Sequence, residues 1–298
     1  MIPVTGRIGD PMASIPNLAG RTAVVTGASG GLGLETSVAL ARAGARVVLV
    51  GRNAAKTAAA LADIRRRSGS DAAELLLCDL SSQASIRRLA VDVLARCPRL
   101  EILINNAGTV SVERKVTADD VEQTFAVNHL AYYLLTRLLR DRIVASAPAR
   151  IVNVASQAHY RGTLDFDDLG FERGYQILRA YTRSKLGNVL FTREMAKRLQ
   201  GTGVTVNTLH PGDVATNIWN GAPRWAQPLL AIAKRLLMIS PEQGAKRITY
   251  LAASLDVQGQ TGLYFEKNRP RRPSRLAQDD ALAARLWNES ARLVHLEP

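Results

Sequence analysis

Tyr181 and Lys185 are the two residues of this chain whose types and spacing most directly indicate chemistry. They lie four positions apart, near the start of an apolar run with helical periodicity. Residues at i and i+4 share one face of a helix, so the phenol and the ammonium can face one site. A free tyrosine has a pKa of about 10, and a nearby cation lowers it. The pair predicts proton transfer, although this spacing alone is more often solvated helix surface.

A glycine-rich turn near the N-terminus predicts a site for a diphosphate. The β-branched run Thr22–Thr26 leads into Gly27, Gly30, Gly31 and Gly33, and a segment with helical spacing follows. Strand, glycine turn and helix in this order place a pyrophosphate at a helix N-terminus. The spacing is G-x-x-x-G-x-G rather than the G-x-G-x-x-G of many dinucleotide-binding folds. A glycine turn that binds no cofactor is the alternative.

Further motifs follow in a fixed order along the chain, and together they identify a family. They are Asn105-Asn106-Ala107-Gly108, Asn128 in a predicted helix, Ser156 after a predicted strand, and Pro211-Gly212 after another. With Thr26–Gly33 and the Tyr181–Lys185 pair, six motifs stand in the family's order. The chain resembles the short-chain dehydrogenase/reductases, within them the retinol-dehydrogenase-like branch, from about Leu18 to Val294.

The resemblance implies a role for each residue of the catalytic set. Tyr181 would act as general acid in reduction and as general base in oxidation. Lys185 would lower the pKa of Tyr181 and bond the nicotinamide ribose. Ser156 would hydrogen-bond the substrate oxygen and stabilise the charge that develops there. Asn128 would hold a water that links Lys185 to solvent.

The resemblance also implies a set of cofactor-binding positions at the carboxyl ends of the strands. Asp79 would contact the adenine, unless it caps the following helix, and Thr216 would bond the nicotinamide half. The expected positions are Gly27, Ser29, Gly31, Leu32, Gly33, Arg52, Asp79, Leu80, Asn105, Ala107, Gly108, Tyr181, Lys185, Pro211, Gly212, Val214 and Thr216.

The end of the second predicted strand indicates the type of cofactor. An acidic residue there would bond the adenosine ribose and repel a 2′-phosphate. The chain instead has Gly51, Arg52 and Asn53, with no carboxylate. The planar guanidinium of Arg52 can bind a phosphate through two hydrogen bonds. NADP(H) is therefore favoured over NAD(H), and a solvated loop arginine is the alternative.

Continuously apolar runs alternate with helix-like segments, which is typical of strands buried on both faces. We expect an α/β fold: one Rossmann-type, doubly wound domain at residues 18–298, after an N-terminal arm at 1–17. The sheet is expected to have seven mostly parallel strands. The predicted strands after the first are Arg46–Val50, Glu74–Cys78, Ile102–Asn105, Arg150–Ala155, Val204–Leu209 and an edge strand at Leu263–Phe265.

Two segments bear on the substrate. Residues 217–240 are rich in apolar side chains, among them Trp219, Trp225 and Leu229, and resemble a lid over the active site. An apolar lid favours a lipophilic alcohol, aldehyde or ketone, and a buried core helix is the alternative. The stretch His159–Gln176 lengthens the interval between Ser156 and Tyr181, and either walls the substrate pocket or decorates the surface.

Composition limits the remaining classes. No run of about 18 apolar residues exists and no signal peptide is evident, so we expect a cytoplasmic protein. The two cysteines and four histidines lack metal-ligand spacing, so we expect no metal. The net charge of +13 is densest at Arg65–Arg67 and Lys267–Arg272. It favours a phosphorylated cofactor or weak contact with an anionic membrane surface over nucleic acid. The alternative is that these basic clusters are solvated and bind no partner.

These observations predict an oxidoreductase that transfers a hydride between NADP(H) and a lipophilic alcohol, aldehyde or ketone, with a tyrosine as general acid and base. A non-catalytic dinucleotide-binding sensor or scaffold is the alternative, and the intact Ser156, Tyr181 and Lys185 speak against it. A membrane-surface protein with secondary catalysis is a third interpretation. An oligomer is compatible with the sequence, which does not define its size.

Overall fold

The fold is built on one central sheet. The computed structural model describes residues 14–213 and 239–298. In that part the sheet has eight strands in the order β3-β2-β1-β4-β5-β6-β7-β8. All neighbouring strands pair in parallel except β7 and β8. The strands are β1 (Thr22–Thr26), β2 (Arg46–Gly51), β3 (Ala73–Leu77), β4 (Ile102–Asn105), β5 (Ala149–Val154), β6 (Val204–His210), β7 (Tyr264–Glu266) and β8 (Arg269–Arg271).

Helices cover both faces of this sheet. In the described residues, short 3₁₀ turns lie at Gln157–Arg161, Leu255–Val257 and Leu276–Gln278. The α-helices of the described residues are α1 (Gly31–Arg42), α2 (Ala54–Ser68), α3 (Gln83–Arg96), α4 (Gln123–Phe125), α5 (Ala131–Ala145), α6 (Ile177–Arg198), α7 (Pro241–Ala253) and α8 (Asp280–Leu293).

Burial of the strands on both faces divides the apolar interior into two cores. On β1, Ala23 and Val25 face a core that includes α1, α2 and α7, whereas Val24 faces one that includes α3, α5, α6 and α8. Successive side chains of a strand point to opposite faces, so an apolar run can supply both cores. This arrangement confirms the predicted doubly wound α/β class.

The predicted number of strands was wrong by one. The chain reverses after β7 through Lys267 and Asn268, whose φ angles of 48° and 62° are both positive. Positive φ at both central residues is the geometry of a two-residue hairpin turn. The returning segment pairs antiparallel with β7, so β8 rather than β7 forms the edge. An Arg-Pro-Arg sequence has low strand propensity and gives no signal of its own.

The helical segment that contains Asn128 begins at Gln123. The chain first makes a tight turn at Asp120, where φ is 56°. The buried carboxylate of Glu122 then accepts hydrogen bonds from the backbone N–H groups of Thr124 and Phe125, both at 2.7 Å. A π-helical turn at Ala126–Leu130 separates α4 from α5 and contains Asn128. Single π-turns of this kind are frequent at functional sites.

Two predicted segments lie largely outside the described residues. Of the N-terminal arm, residues 14–17 are described, and the carbonyl oxygen of Ser14 accepts a hydrogen bond from the backbone N–H of Leu255 at 3.1 Å. Of the predicted lid, Ile239 and Ser240 are described; the N–H of Ile239 donates to the carbonyl of Asp213 at 2.9 Å, and Ser240 caps α7.

Candidate active site

A cleft of about 1360 Å³ opens at the carboxyl ends of the parallel strands. Its walls come from the segments that follow β1, β2, β3, β4, β5 and β6, together with the start of α6 and Glu266 at the end of β7. This is the edge at which open α/β sheets bind ligands. The motifs of the sequence therefore converge on one site, with a nucleotide end near α1 and a chemistry end near α6.

Close packing explains the glycines of the first turn. Gly27 has φ +67°, and a Cβ there would lie 2.8 Å from Cα of Ala107. A Cβ on Gly33 would overlap the carbonyl oxygen of Gly27. The Thr26 hydroxyl accepts hydrogen bonds from the backbone N–H groups of Asn106 at 2.9 Å and Ala107 at 3.1 Å. The loops after β1 and β4 are therefore fixed against each other.

The N-terminus of α1 is open toward the cleft. Its N-cap is Gly30, no side chain caps it, and its first turn carries no acidic residue. A Cβ on Gly30 would meet nothing within 4 Å. Free backbone N–H groups and the positive end of the helix dipole suit a diphosphate. These residues therefore fit the dinucleotide that the motif predicts.

Two cations line the nucleotide end beyond the glycine turn. Arg52 is exposed directly after β2, and Lys56 in the first turn of α2 lines the same wall. The side chain of Asn53 caps this helix by accepting a hydrogen bond from the backbone N–H of Lys56 at 2.9 Å. Sequence reasoning named Arg52 and missed Lys56, although a lysine four positions further on was a usable signal.

Asp79 and Leu80 lie on the wall of the cleft after β3. One oxygen of Asp79 accepts hydrogen bonds from the backbone N–H of Ser81 at 3.0 Å and from its hydroxyl at 2.7 Å. Ser82, and not Asp79, caps α3 by accepting from the N–H of Ser85. The alternative role of Asp79 as a helix cap is therefore wrong.

Lys185 lies at the chemistry end, buried beneath Tyr181. Its side chain is 3% exposed, and its ammonium nitrogen donates to the carbonyl of Val154 at 3.0 Å. The same nitrogen is 5.6 Å from the centroid of the Tyr181 ring. Burial lowers the pKa of Lys185 to about 8, because the charged form loses its hydration.

Tyr181 and Ser156 meet at this end of the cleft. Burial among protein atoms raises the pKa of Tyr181, a hydrogen bond with the Ser156 side chain acts in the opposite direction, and the charge of Asp213 raises the pKa further. Desolvation of the phenolate outweighs the hydrogen bond with Ser156, so the pKa of Tyr181 lies above its usual value. Tyr181 is therefore a protonated phenol at neutral pH. The lowering of this pKa by Lys185 that the resemblance implies stays a prediction.

Ser156 is held in place by the turn that follows it. Its hydroxyl accepts a hydrogen bond from the backbone N–H of Ala158 at 3.1 Å. Nδ1 of His159 lies 2.8 Å from the carbonyl oxygen of Ser156, and Nε2 accepts from the N–H of Ser274 at 3.2 Å. These partners assign the proton of His159 to Nδ1. The carbonyl of Ser156 is thus tied to a buried, neutral imidazole, whose pKa burial lowers.

Asn128 supports the wall of the cleft from behind. Its amide nitrogen donates to the carbonyl of Thr109 at 2.9 Å and to the hydroxyl of Ser184 at 3.1 Å. Its oxygen accepts from the N–H of Thr109 at 2.7 Å. The side chain therefore fixes the loop after β4 against α6. The proton relay through Asn128 that the resemblance implies stays a prediction.

The other predicted positions separate into three groups. Asn105 and Gly33 lie behind the lining: the amide of Asn105 donates to Asn153 at 2.8 Å and to Thr136 at 3.0 Å. Val214 and Thr216 fall outside the described residues. The predicted cofactor positions on the wall itself are Gly27, Ser29, Gly31, Leu32, Arg52, Asp79, Leu80, Ala107, Gly108, Tyr181, Lys185, Pro211 and Gly212.

Polar side chains that sequence reasoning did not assign also line the chemistry end. Glu266 accepts hydrogen bonds from the Tyr264 hydroxyl at 2.8 Å and from the Gln157 amide at 3.3 Å. His210 on β6 pairs in register with Glu266 and is buried, which lowers its pKa. Both follow the rule already used for the other strands, because each ends a strand at the cleft.

The stretch His159–Gln176 packs on α6, and its described side chains from residue 162 onward do not line the cleft. Arg183, only 2% exposed, donates to the carbonyls of Thr163 at 3.2 Å and Leu169 at 2.9 Å. Its guanidinium lies 3.6 Å from the ring centroid of Phe171. The insertion is thus anchored to the helix that carries Tyr181 rather than forming a free surface loop.

The site and the fold match a known family. The family model of the short chain dehydrogenases matches residues 21–227, more than half of the chain. Human retinol dehydrogenase 13 is 42% identical over 299 residues, which cover 99% of this chain and 89% of that protein. The chain therefore belongs to the short-chain dehydrogenase family of oxidoreductases, in its retinol-dehydrogenase-like branch.

Solved structures agree with this assignment. A protein of uncharacterised function from Mycobacterium paratuberculosis has a TM-score of 0.77 at 32% identity, over 96% of this chain and 97% of its own. A protein named as an NAD(P) dependent gluconate 5-dehydrogenase from Beutenbergia cavernae has NADP bound at low occupancy. It has a TM-score of 0.67 at 30% identity, over 84% of this chain and 95% of its own.

Within residues 14–213 and 239–298, no helix is long and apolar enough to cross a membrane. In the same part of the chain no three His, Cys, Asp or Glu side chains are grouped to hold a metal ion. Cys78 and Cys97 are both buried and unpaired.

Proposed function

We propose that this protein transfers a hydride between NADP(H) and a lipophilic alcohol, aldehyde or ketone. One observation carries the proposal. Ser156, Tyr181 and Lys185 gather at one end of a cleft whose other end presents an uncapped helix N-terminus and Arg52. A non-catalytic dinucleotide-binding protein would have no need of a buried lysine beneath a tyrosine, because burying an ammonium disfavours its charged form.

Tyr181 serves as the proton donor in the reductive direction. A bound nicotinamide supplies the hydride, and this chain positions the carbonyl group of the substrate and provides the proton. Burial raises the pKa of Tyr181, so the phenol is protonated at neutral pH. The hydroxyl groups of Tyr181 and Ser156 bond the carbonyl oxygen together, and they stabilise the charge that develops there as the hydride arrives.

Lys185 offsets the negative charge that forms on Tyr181 when its proton leaves. Its pKa of about 8 keeps most of the ammonium charged at neutral pH. A cation 5.6 Å from the ring centroid favours the phenolate. The ammonium is fixed by the carbonyl of Val154, so little reorganisation is needed during the reaction.

The preference for NADP(H) rests on charge at the nucleotide end. Arg52 and Lys56 line the same wall, and no carboxylate ends β2. Two cations there attract a 2′-phosphate, and the guanidinium can bind it through two hydrogen bonds. The Beutenbergia cavernae structure, which has NADP bound, supports this preference by similarity.

The lipophilic substrate class rests on two supports. The predicted lid at residues 217–240 is rich in tryptophan and leucine. The relative that is 42% identical over nearly the whole chain is named a retinol dehydrogenase. Retinol is a lipophilic alcohol, and an apolar lid with few polar groups suits such molecules.

The test is NADPH consumption with a series of straight-chain aldehydes and ketones, using the wild type, Ser156→Ala and the control Ser70→Ala, which lies outside the cleft. We expect activity that rises with chain length, because each methylene buried adds up to about 0.8 kcal/mol. Ser156→Ala should lose roughly a hundredfold in kcat, the usual effect of one oxyanion donor, and Ser70→Ala should lose nothing.

Two results would refute the proposal. A flat response to chain length would refute the lipophilic substrate. Equal activities of Ser156→Ala and wild type would refute the assigned chemistry.

A further inference from the structure

The excess positive charge of this chain is not evenly distributed. The first dense spot, Arg65–Arg67, is largely compensated: Arg67 pairs with Glu35 at 2.6 Å and with Asp63 at 3.1 Å. Arg66 also pairs with Asp63, and Arg65 donates to the carbonyl of Ala73 at 2.8 Å. The cations of this spot are therefore paired with groups of the protein itself.

The second dense spot is uncompensated. Between Glu266 and Asp279 the chain contains five cations and no carboxylate. All five are exposed, and none forms an ion pair with another described residue. They are Lys267, Arg269, Arg271, Arg272 and Arg275.

This cationic segment is built into the sheet edge. The hairpin turn at Lys267 and Asn268 joins β7 to β8, and Pro270 lies opposite Phe265. Proline removes a backbone donor, and charged side chains discourage another strand from pairing with the edge. Edge protection accounts for one or two charges here, but five cations in nine residues are more than that purpose requires.

The segment also borders the cleft. The hydroxyl of Tyr160 donates to the carbonyl of Arg272 at 2.8 Å, and Tyr160 itself lines the chemistry end at 45% exposure. Arg161 lines the same opening, is exposed, and forms no ion pair with a described residue. Leu178, which is 61% exposed, lies at the same opening. We define the basic rim as Arg161, Lys267, Arg269, Arg271, Arg272 and Arg275.

We infer that the basic rim binds the surface of an anionic lipid bilayer and brings the opening of the cleft to that surface. Each Lys or Arg near an anionic bilayer strengthens binding about fivefold. Tyr160 and Leu178 beside the rim suit the interface between headgroups and acyl chains, where a tyrosine presents an apolar ring and a polar tip. A nucleic acid would meet the same charge, but it gives no reason for exposed apolar groups at the opening.

Vesicle binding does not depend on the proposed function. If the substrate is lipophilic, as proposed above, the surface that the rim binds is also where that substrate accumulates. A failure of the binding test would leave the oxidoreductase proposal intact, and inactivity toward every carbonyl would leave the binding result intact.

The experiment is co-sedimentation of the full chain with vesicles of phosphatidylcholine containing about 30% phosphatidylserine, at about 0.1 M and 0.5 M salt. The test variant combines Lys267→Gln, Arg269→Gln and Arg271→Gln. A matched control combines Arg88→Gln, Arg140→Gln and Lys246→Gln, three exposed cations on α3, α5 and α7. Circular dichroism and reduction of a water-soluble aldehyde check that both variants fold.

We expect the wild type to bind the anionic vesicles at low salt and to be released at high salt, because exposed charges are screened. The rim variant should lose affinity on the order of a hundredfold, and the control only a few fold. Equal losses in both variants would show a general effect of net charge. That result, failure of the wild type to bind, or tighter binding to a DNA duplex in competition would overturn the inference.

Discussion

The two ends of the cleft differ in whether backbone groups or side chains form the site. The nucleotide end consists mainly of backbone: a glycine turn, the uncapped start of α1, and loops fixed by the hydroxyl of Thr26. The chemistry end consists of side chains from α6, from the segment after β5 and from β7, including a buried ammonium at Lys185. Backbone sites bind a common cofactor without strain in the fold, whereas a catalytic side chain must often be buried in a state that the fold disfavours.

The largest expected effect is on Lys185→Met. Turnover should fall by roughly a hundredfold or more, because the phenolate of Tyr181 loses its cation. The protein should at the same time become more stable. A shift of the Lys185 pKa from 10.5 to about 8 corresponds to at most about 3 kcal/mol against folding at neutral pH, less the hydrogen bond to Val154.

The pH dependence of this gain has a definite sign. The folded state has the lower pKa, so the unfolded state binds more protons between about pH 8 and 10.5, and wild-type stability rises with pH there. The advantage of Lys185→Met should therefore be full below pH 8 and vanish toward pH 10.5. Thermal melts of the variant, of wild type and of the surface control Lys246→Met measure it. A variant that is both inactive and less stable at pH 7 would contradict the account.

A smaller effect is expected at the nucleotide end. Arg52→Asp should move the preference from NADP(H) toward NAD(H), because it removes a hydrogen-bond donor to the 2′-phosphate and adds a charge that repels it. The ratio of kcat/KM for the two cofactors should change by roughly 10- to 100-fold, the scale of one charged hydrogen bond. Lys246→Asp, which places the same charge outside the cleft, is the control. An unchanged ratio in Arg52→Asp would show that Arg52 does not contact the phosphate.

The glycines of the first turn allow a test in which stability and binding separate. Gly33→Ala places a methyl group against the carbonyl of Gly27 and should lower the melting temperature by several degrees, the effect of overpacking by about 1–3 kcal/mol. Gly30→Ala meets no atom within 4 Å and should leave the melting temperature unchanged. Its methyl group enters the space in front of α1, so it should weaken NADPH binding. The reverse order of melting temperatures would refute the assigned packing.

The smallest effect concerns pH and rate. Reduction should be independent of pH near neutrality and fall above about pH 8, where Lys185 loses its proton. The fall should be roughly tenfold by pH 9, because only about a tenth of Lys185 then keeps its proton. In Lys185→Arg the guanidinium stays charged, so any residual activity should show no fall in this range. The same descending limb in both proteins would assign it to another group.

Much of the nucleotide end could be predicted because the residues of each motif lie close together in the sequence. The turn Gly27–Gly33 and the motif Asn105–Gly108 are each continuous in sequence, and strand order brings them together by rule. Lys56 was missed because it belongs to the next helix, not to the motif. Sequence patterns of this kind predicted seven of the eight strands in the described residues. The eighth, β8, depends on a hairpin turn, and its polar Arg-Pro-Arg sequence does not indicate a strand.

The chemistry end was harder to predict because its properties depend on burial. The sequence identified Tyr181 and Lys185. Whether the pKa of Tyr181 is raised or lowered, however, depends on how many protein atoms surround the ring. Glu266 and Gln157 are 109 positions apart and meet only in the fold. The carboxylate cap of Glu122, which moves the start of α4 to Gln123, is likewise visible only in three dimensions.

The most direct test of the central claim is label transfer from NADPH, deuterated at the transferred position, to an aldehyde. Wild type, Tyr181→Phe and the control Tyr175→Phe are compared, the control losing a hydroxyl that bonds the carbonyl of Ser111 outside the catalytic set. NADPH should still bind to all three. We expect deuterium in the product alcohol of wild type and control, and transfer roughly a hundredfold slower or worse in Tyr181→Phe. Near-normal transfer in Tyr181→Phe would contradict the account.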